Sequence, residues 1–555
     1  MNRTVNKHFS VIIFLLFFFA SLGFRIYWWT QKDGMHWDEP AGVMMIFNNY
    51  GYRAPLFVDT AYTGKQAKKV FFGTDGSLKS MFYDIVSLWK NKPDTNHGNL
   101  YHILQRIFFL GLETEDLKRM MVRGAILNLL LFSLSFYFFN KLMCLFFGDK
   151  KIFACVITFC TFLSTGTLAA VVLMRQYVFE ETMLIITTYL FIKYLDIQKI
   201  EKPEKKVHIK LPLITGMSLI TAFTFMSHYY SFIFVGFLGI YAIFYNLRKK
   251  RYLEIFSYFV ILVLALFISR LLDFRFFWFL KTDYLLHRRY ADVDTAGTFD
   301  LFNLVRTFVI TPYYWYKYWW TLPVICVTAT IILYTIISAK RKKTKKLKRT
   351  SAESERRLAI NSPVVIVLLI AFAFTLVVMY KSPPGLKVIR YIIPAFSFFI
   401  LLPAIFIDKI KNKRVYITSL VLLCTAMSAY SFKADNIPNL FHNKPDEYEF
   451  IAHPELPVII LNGGARSELI PYFEDTQKYI FLSDLLNLEK CIAEFIPANS
   501  NFYMVLPQEI VEHYKISVAD ITVNGYAVKK IFAAGFCKPD RNIPYYICYE
   551  MVYTP

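Results

Sequence analysis

Long apolar runs separated by short basic segments dominate the chain up to about position 432. Runs of about 20 apolar residues match the thickness of a bilayer core, so each predicts a membrane-spanning helix. Eleven such runs are present, near residues 9–29, 121–147, 152–173, 177–197, 211–227, 229–247, 253–272, 313–338, 361–380, 389–408 and 415–432. The first run is too long for the apolar part of a signal peptide and lacks a small-residue cleavage site, which indicates an uncleaved anchor. The pattern predicts a polytopic α-helical membrane protein.

The basic clusters between the runs predict its orientation. They lie at residues 199–210, 248–251, 340–349 and 409–414. All four fall on one side of the membrane when the N-terminus is cytoplasmic, as expected because basic loops stay in the cytoplasm. An odd number of spans then puts the first long loop, residues 30–118, and the C-terminal portion outside. We expect a multi-pass protein of the cytoplasmic membrane whose apolar loop segments 78–89 and 100–110 lie on the membrane surface.

After residue 432 the long apolar runs give way to short alternating segments. Strands are predicted at residues 458–461, 479–482, 502–506, 528–532 and 545–552, with a helical stretch over 484–495. The sequence therefore predicts a membrane module over residues 1–432 and a small extracytoplasmic α/β domain over residues 433–555. Cys537 and Cys548 flank a turn in this domain, and the pattern leaves open a disulfide between them.

Composition removes one class of function. The chain of 555 residues is 56% hydrophobic and carries a formal net charge of +22. The basic residues lie in short clusters between apolar runs and not along one soluble face. Contact with anionic membrane lipids explains this placement, so we expect no nucleic-acid partner.

The first candidate for chemistry is the stretch MHWDEP, which follows the first apolar run. It contains two adjacent acids, Asp38 and Glu39. Ionised carboxylates at the end of a membrane helix are costly unless a partner or a task holds them there. Either the two acids solvate the start of a loop, or they act on a substrate outside the membrane.

Four further polar stretches map to the same predicted face of the membrane. They are DTNHGNLYH, with Asp94, His97 and Tyr101; MRQY, with Arg175 and Tyr177; SHYY, with His228 and Tyr229; and IRYIIP, with Arg390 and Tyr391. Each stretch alone is a weak signal. Their common location on the outer side is informative, because a catalytic chamber would be assembled there.

In this order the five stretches resemble the GT-C class of membrane glycosyltransferases, and specifically the protein mannosyltransferase-like family, which takes sugars from polyprenyl phosphates. The resemblance covers residues 9–410 and leaves the C-terminal domain unassigned. It implies a hexosyl- or pentosyltransferase acting by single displacement with inversion. Asp38 would be the catalytic base, and Glu39 would support it or position the acceptor. The chain departs from the family pattern at Gly98-Asn99, where two prolines are usual, and at Ser227, where threonine is common.

The chemistry of this transfer explains the need for cations. Because a phosphate leaves as a stable anion, the reaction requires a base and positive charge but no general acid. Arg175 and Arg390 are the candidates for binding the phosphate, since a guanidinium donates two parallel hydrogen bonds. The alternative is that they contact lipid headgroups. The resemblance gives substrate binding to Asp94, His97, Tyr101, Tyr177, His228, Tyr229 and Tyr391.

Several points stay open at this stage. No cofactor is required, although His97 and His228 either hydrogen-bond the substrate or share a divalent metal with Asp94 or Glu39. The expected donor is a polyprenyl-phosphate-linked sugar, while the acceptor is a glycan, a lipid or a protein. The alternative function is a transporter or flippase for a lipid-linked glycan or a lipid. That function would require ionisable residues near mid-membrane and an internal repeat of spans, and neither is evident.

Overall fold

A computed structural model describes most of the chain. The described residues are 3–32, 35–36, 38–48, 58–91, 98–113, 117–148, 150–197, 203–277, 304–310, 363–381, 389–432, 437, 449–461, 469–507, 511, 522–537 and 544–554. The candidate residues Asp94 and His97 and the predicted span 313–338 lie outside them, as does the side chain of Asp38.

Helices predominate in the described ranges as far as residue 431. They are α1 (Arg3–Thr30), α2 (Asp38–Asn48), α3 (Gly64–Phe72), α4 (Leu78–Asn91), α5 (Leu100–Phe108), α6 (Leu117–Phe147), α7 (Lys151–Phe162), α8 (Thr165–Val172), α9 (Tyr177–Ile197), α10 (Pro203–Phe225), α11 (Ser231–Arg248), α12 (Tyr252–Leu272), α13 (304–310), α14 (Pro363–Lys381), α15 (Leu401–Asp408) and α16 (Lys413–Ser431). Two 3₁₀ segments, Ile389–Tyr391 and Ile393–Ile400, precede α15.

The fold is that of a polytopic helical membrane protein. Within the described ranges, five helices are long and apolar enough to cross a bilayer: α1, α6, α11, α12 and α14; the bent pair α7 and α8 would make a sixth. Helix α9 is buried along most of its length and forms the centre of the largest apolar core with α6, α7, α8 and the second 3₁₀ segment. The predicted number of eleven spans stays a prediction.

The predicted span at 152–173 is not one helix. Helices α7 and α8 meet at an angle of 63°. Ser164 lies at the break, where its hydroxyl accepts a hydrogen bond from the amide of Thr167 at 3.4 Å and caps α8. A serine side chain that satisfies the first amides of a new helix stabilises a helix start, so it can end one helix and begin another inside an apolar run.

The C-terminal portion contributes six strands to a mixed sheet that has seven strands within the described ranges. The strands are β1 (Ala61–Thr63), β2 (Val458–Leu461), β3 (Lys478–Leu482), β4 (Phe502–Pro507), β5 (Thr522–Val523), β6 (Tyr526–Cys537) and β7 (Pro544–Tyr553), in the spatial order β1-β3-β2-β4-β7-β6-β5. Strand β2 is parallel to β3 and β4, whereas the pairs β4–β7 and β6–β7 are antiparallel. This portion also contains helices α17 (Glu449–Ala452) and α18 (Leu488–Phe495). Strands form at all five predicted positions.

Strand β1 does not come from the C-terminal portion. It comes from the loop over residues 30–118, which is called the first outer loop after the orientation expected from the sequence. It pairs antiparallel with β3, with Tyr62 opposite Tyr479. Beside it, the carboxylate of Asp59 accepts hydrogen bonds from the amide of Ser483 at 3.0 Å and from its hydroxyl at 2.7 Å. These hydrogen bonds lower the pKa of Asp59, although partial burial opposes them. The first outer loop therefore supplies an edge strand to the C-terminal sheet.

The two portions also share one hydrophobic core. Residues Val43, Met44 and Phe47 of α2 pack in the same buried cluster as Val458 and Tyr479 of the sheet. On the other face of the sheet, α18 packs in a second cluster. The sheet thus lies between the helices of the first outer loop and α18. The division at residue 432 stays a prediction about the chain, but the two segments are bound together by backbone hydrogen bonds and buried apolar surface.

The strand register separates the backbone positions of the two cysteines between which the sequence left a disulfide open. In the β6–β7 pair, Cys548 lies opposite Phe532, whereas Cys537 lies opposite Pro544. The two cysteines are therefore about five residues apart along the strand direction, or roughly 16 Å at about 3.3 Å per residue. A disulfide needs Cα atoms within about 7 Å, and the register of β6 and β7 separates these two backbone positions by more than that.

The two loop segments expected on the membrane surface, 78–89 and 100–110, form helices α4 and α5, which bury different kinds of side chain. Helix α4 leaves Leu78, Phe82, Tyr83 and Val86 exposed. These residues form one apolar stripe, as expected for a helix on a membrane surface. Trp89 of α4 also donates a hydrogen bond to the carbonyl of Leu271, at the end of α12, at 2.9 Å.

Helix α5 instead turns its polar side chains inward, burying Tyr101, His102, Gln105 and Arg106. Arg106 forms an ion pair with Asp84 of α4 at 2.7 Å, which binds the two helices together. Burial raises the pKa of Asp84, while Arg106 acts in the opposite direction.

Gly98 allows the first outer loop to cross the turn between α10 and α11. A Cβ atom at position 98 would lie 1.8 Å from the carbonyl oxygen of Met226. Real Cβ atoms do not approach so closely, so only glycine fits unless the backbone moves. Proline also carries a Cβ, and this contact therefore gives a physical reason for the departure from the family pattern at Gly98.

We expect Gly98→Ala to lower the Tm of the purified protein, because the added methyl group forces the first outer loop away from Met226 at a cost of about 1–3 kcal/mol. Gly216→Ala in α10 is the matched control, since nothing lies within 4 Å of its added Cβ. Its Tm should stay the same or rise slightly. Equal Tm values for the two variants would contradict this close approach.

Candidate active site

The carboxylate of Glu39 connects the first outer loop to the segment between α8 and α9. Its Oε1 accepts hydrogen bonds from Lys32 Nζ at 2.5 Å and from the amide of Met174 at 2.6 Å. Its Oε2 accepts one from the amide of His36 at 2.5 Å. Both side chains of the ion pair are buried, with 1% of Lys32 and 0% of Glu39 exposed. The cation and the two amide donors compensate the desolvation of the Glu39 carboxylate. This explains how an acid is accommodated at the end of a membrane helix.

This network also holds the start of α2, where Asp38 is the first residue. Lys32 donates a second hydrogen bond to the carbonyl of Val172 at 3.1 Å, and the amide of Met35 donates one to the hydroxyl of Tyr472 at 2.6 Å. Tyr472 belongs to the C-terminal portion. The backbone that carries Asp38 is therefore held by the end of α8 on one side and by the C-terminal portion on the other.

Arg175 lies against the same helix. A Cβ atom at Gly42 of α2 would lie 3.0 Å from Arg175 Nη1 and 3.7 Å from His102 Cε1. Positions 38 and 42 share one face of α2, because residues four apart stack along a helix. The structure thus brings the guanidinium of Arg175 to the face of α2 on which position 38 lies, one turn further along. Only 3% of Arg175 is exposed.

Tyr101 stabilises the segment between α8 and α9 through buried hydrogen bonds. Its hydroxyl donates a hydrogen bond to Asn128 Oδ1 at 2.9 Å and accepts one from Gln105 at 3.2 Å. Asn128 in turn donates to the carbonyls of Val171 at 2.8 Å and Leu173 at 2.9 Å. Burial and the nearby charge of Glu39 raise the pKa of Tyr101, so its phenol stays neutral. In this structure Tyr101 is buried, and through Asn128 it stabilises the segment that precedes Arg175.

The three later stretches meet in one aromatic cluster. The ring of Tyr391 lies 5.2 Å from that of His228, 5.7 Å from that of Tyr230 and 6.4 Å from that of Tyr177, between centroids. His228 stacks on Tyr229 at 4.7 Å. The guanidinium carbon of Arg390 lies 5.7 Å from the centroid of the Tyr391 ring. Stretches separated by more than 200 residues in the chain therefore converge.

His228 has a defined tautomer when neutral. Its Nδ1 accepts a hydrogen bond from the amide of Tyr230 at 3.1 Å. The ring proton is thereby assigned to Nε2. No group of three His, Cys, Asp or Glu side chains within the described ranges is placed to hold a metal ion. The metal that the sequence left open would involve Asp94 and His97, which are outside those ranges.

Sequence reasoning missed the residues that hold the candidate site together. Lys32, Gln105 and Asn128 carry no motif, and each donates a hydrogen bond to a backbone carbonyl that is distant in sequence. Lys32 follows the first apolar run directly and could have been noticed as a cation next to the acid pair. No pattern in the sequence marks Gln105 or Asn128, because a single polar residue in an apolar helix has many explanations.

Solved structures are similar to this chain in fold. The crystal structure of ArnT from Cupriavidus metallidurans bound to undecaprenyl phosphate matches with a TM-score of 0.50 and 10% sequence identity, over 99% of this chain and 98% of that chain. The same protein in the apo state matches with a TM-score of 0.47 and 9% identity, over 97% of each chain. No protein-family model and no curated protein matches the chain. The chain therefore has the fold of ArnT, a membrane glycosyltransferase of the GT-C class, and the resemblance carried by its motifs is confirmed at the level of the fold.

Proposed function

We propose that the chain is an integral-membrane glycosyltransferase that transfers a sugar from a polyprenyl-phosphate donor to an acceptor hydroxyl, with inversion at the anomeric carbon. The observation that carries the proposal is the junction of α2 with the segment before α9. Glu39 bonds the two, and Arg175 lies against the face of α2 that begins at position 38. A base next to a phosphate-binding cation is the arrangement that this transfer requires.

The roles of the other residues follow from charge. Arg175 and Arg390 bind the phosphate and stabilise the negative charge that develops on it as the glycosidic bond breaks. Asp38 accepts the proton of the acceptor hydroxyl. The acceptor oxygen then attacks the anomeric carbon from the side opposite the departing phosphate. Glu39, whose two oxygens are occupied by protein donors, positions Asp38 and does not touch substrate. The tyrosines of the aromatic cluster line the mouth through which the donor enters.

Two contacts support the proposed orientation. Because β1 pairs with β3, the first outer loop and the C-terminal portion lie on one side of the membrane. Lys150, between α6 and α7, forms an ion pair with Asp408 at the end of α15, so these two turns also share a side. The second pair adjoins the basic cluster at 409–414, which favours the cytoplasm for that side. The site then lies on the outer face of the cytoplasmic membrane, with the N-terminus inside.

Transport is the second candidate, favoured by two buried ionisable residues in the bundle. Arg25 of α1 is fully buried, and its guanidinium lies 3.9 Å from the ring centroid of Phe132. Glu181 of α9 is also buried and accepts a hydrogen bond from Ser397. Arg25 donates to Thr167 at 3.3 Å. These local partners, near the outer ends of their helices, support a structural role. Movement of lipid across vesicles without sugar transfer would favour the transporter.

Asp38→Asn should lower sugar transfer by about 100-fold or more, because an amide cannot accept the proton of the acceptor and a general base contributes about 10²–10⁴ in rate. The measurement is turnover of a panel of polyprenyl-phosphate sugars, with mass analysis of glycan, lipid and protein acceptors. Asp75→Asn is the control in the same loop, since the Asp75 carboxylate is exposed and accepts a hydrogen bond from the amide of Ser77 at 2.9 Å. Near-normal turnover by Asp38→Asn would refute the base assignment.

Arg175→Ala should weaken binding of undecaprenyl phosphate by roughly 10- to 100-fold, because a charge-assisted hydrogen bond contributes about 1.5–3 kcal/mol. Arg270→Ala is the control, since Arg270 lies in the last turn of α12 with its guanidinium 4.2 Å from the Phe274 centroid. Its affinity should stay unchanged. An unchanged affinity in Arg175→Ala would mean that this arginine does not bind the phosphate.

A further inference from the structure

Two polar side chains at the start of α9 are buried without all the hydrogen bonds that they can make. Gln176 and Glu180 lie one helical turn apart, joined by the hydrogen bond from the Glu180 amide to the Gln176 carbonyl at 2.8 Å, and both are 0% exposed. Within the described part of the chain, neither the oxygen nor the nitrogen of the Gln176 amide has a hydrogen-bond partner. The same is true of Glu180 Oε2. Groups of this kind are rare in folded proteins and call for an explanation.

Glu180 is held in place by one of its two oxygens. Its Oε1 accepts a hydrogen bond from Ser231 Oγ at 2.8 Å, and Ser231 lies 3.2 Å from Ser227 Oγ. Its Oε2 is left to accept a further bond. The next residue provides a contrast, because Glu181 is bonded to Ser397 across the bundle and does not appear among the unsatisfied groups. Of these two adjacent acids, only Glu180 retains an unused acceptor.

The unsatisfied atoms suit hydroxyl groups better than phosphate. Together they offer one amide donor, one amide acceptor and one carboxylate acceptor. A hydroxyl both donates and accepts, so neighbouring hydroxyls on a sugar ring can use all three. A phosphate diester carries only acceptor oxygens, so it cannot donate a hydrogen bond to the unsatisfied oxygen of the Gln176 amide.

The position of the pair fits the other parts of the proposed site. Gln176 lies in the chain between Arg175 and Tyr177, and Ser231 directly follows Tyr230. The rings of Tyr177 and Tyr230 both belong to the aromatic cluster around Tyr391. Neighbouring residues in a chain point to different sides, so Arg175 faces α2 while the pair faces the start of α11.

We propose that Gln176 and Glu180 form a subsite that binds hydroxyl groups of the donor sugar. This deepens the proposed function and rests on it. Arg175 holds the phosphate end of the donor, and the pair holds the sugar, so the anomeric carbon is fixed between them. The pair positions and selects the sugar and takes no part in proton transfer.

The test uses the full-length protein and two probes, undecaprenyl phosphate and undecaprenyl phosphate carrying a mannose. The variants are Gln176→Met and Glu180→Gln, which keep the side-chain size. Both should bind undecaprenyl phosphate as the unaltered protein does, but lose about tenfold or more of any preference for the sugar-bearing lipid. Thr188→Val is the matched control in α9, since the Thr188 hydroxyl is already bonded to the carbonyl of Leu184 at 2.8 Å. It should change neither affinity.

Thermal stability separates binding from a structural role. Removing an unsatisfied buried amide should leave the Tm of ligand-free Gln176→Met unchanged or raise it. A lower Tm with an unchanged preference for the sugar-bearing lipid would overturn the subsite. The subsite would also be overturned if the unaltered protein bound both lipids equally, or if a preference for a lipid carrying another sugar were unchanged in both variants. If the unaltered protein bound neither lipid, the proposed function itself would fail, which distinguishes the two outcomes.

Discussion

The buried ion pair of Lys32 with Glu39 is the interaction on which the rest of the site depends. Glu39 accepts from a cation that follows α1 and from the amide of Met174 before α9. One carboxylate thus joins the end of α1 and the start of α2, which are close in sequence, to the segment before α9, which lies 135 residues further along the chain. Removing either partner would leave an uncompensated charge in a buried place, at a cost of about 3–5 kcal/mol. Such a cost explains why the relative positions of α2 and the Arg175 segment are tightly defined.

The C-terminal portion takes part in the same construction. It receives strand β1 from the first outer loop, shares a core with α2, and contacts the backbone of Met35 through Tyr472. A loop between two membrane helices would ordinarily move freely. Here the sheet and the bundle hold it from two sides. Preorganisation of this kind would serve the proposed transfer reaction, in which the base and the cations are in place before the donor arrives.

The sequence predicted the membrane class and the five strands of the C-terminal portion, because both depend on periodic runs of apolar residues. It did not predict β1, since three residues are too short to show an alternating pattern. It missed the break between α7 and α8, where a single serine interrupts an apolar run. The need for glycine at position 98 could not be foreseen either, because it arises from contact with Met226.

The central claim is that the face of α2 carrying Asp38 and the guanidinium of Arg175 form one site for a lipid phosphate. The most direct test is an experimental structure of the protein with undecaprenyl phosphate bound. The phosphate oxygens should then lie about 3 Å from the guanidinium of Arg175, with the Asp38 carboxylate facing the same space. A phosphate bound away from α2, with Arg175 contacting only protein, would contradict the account.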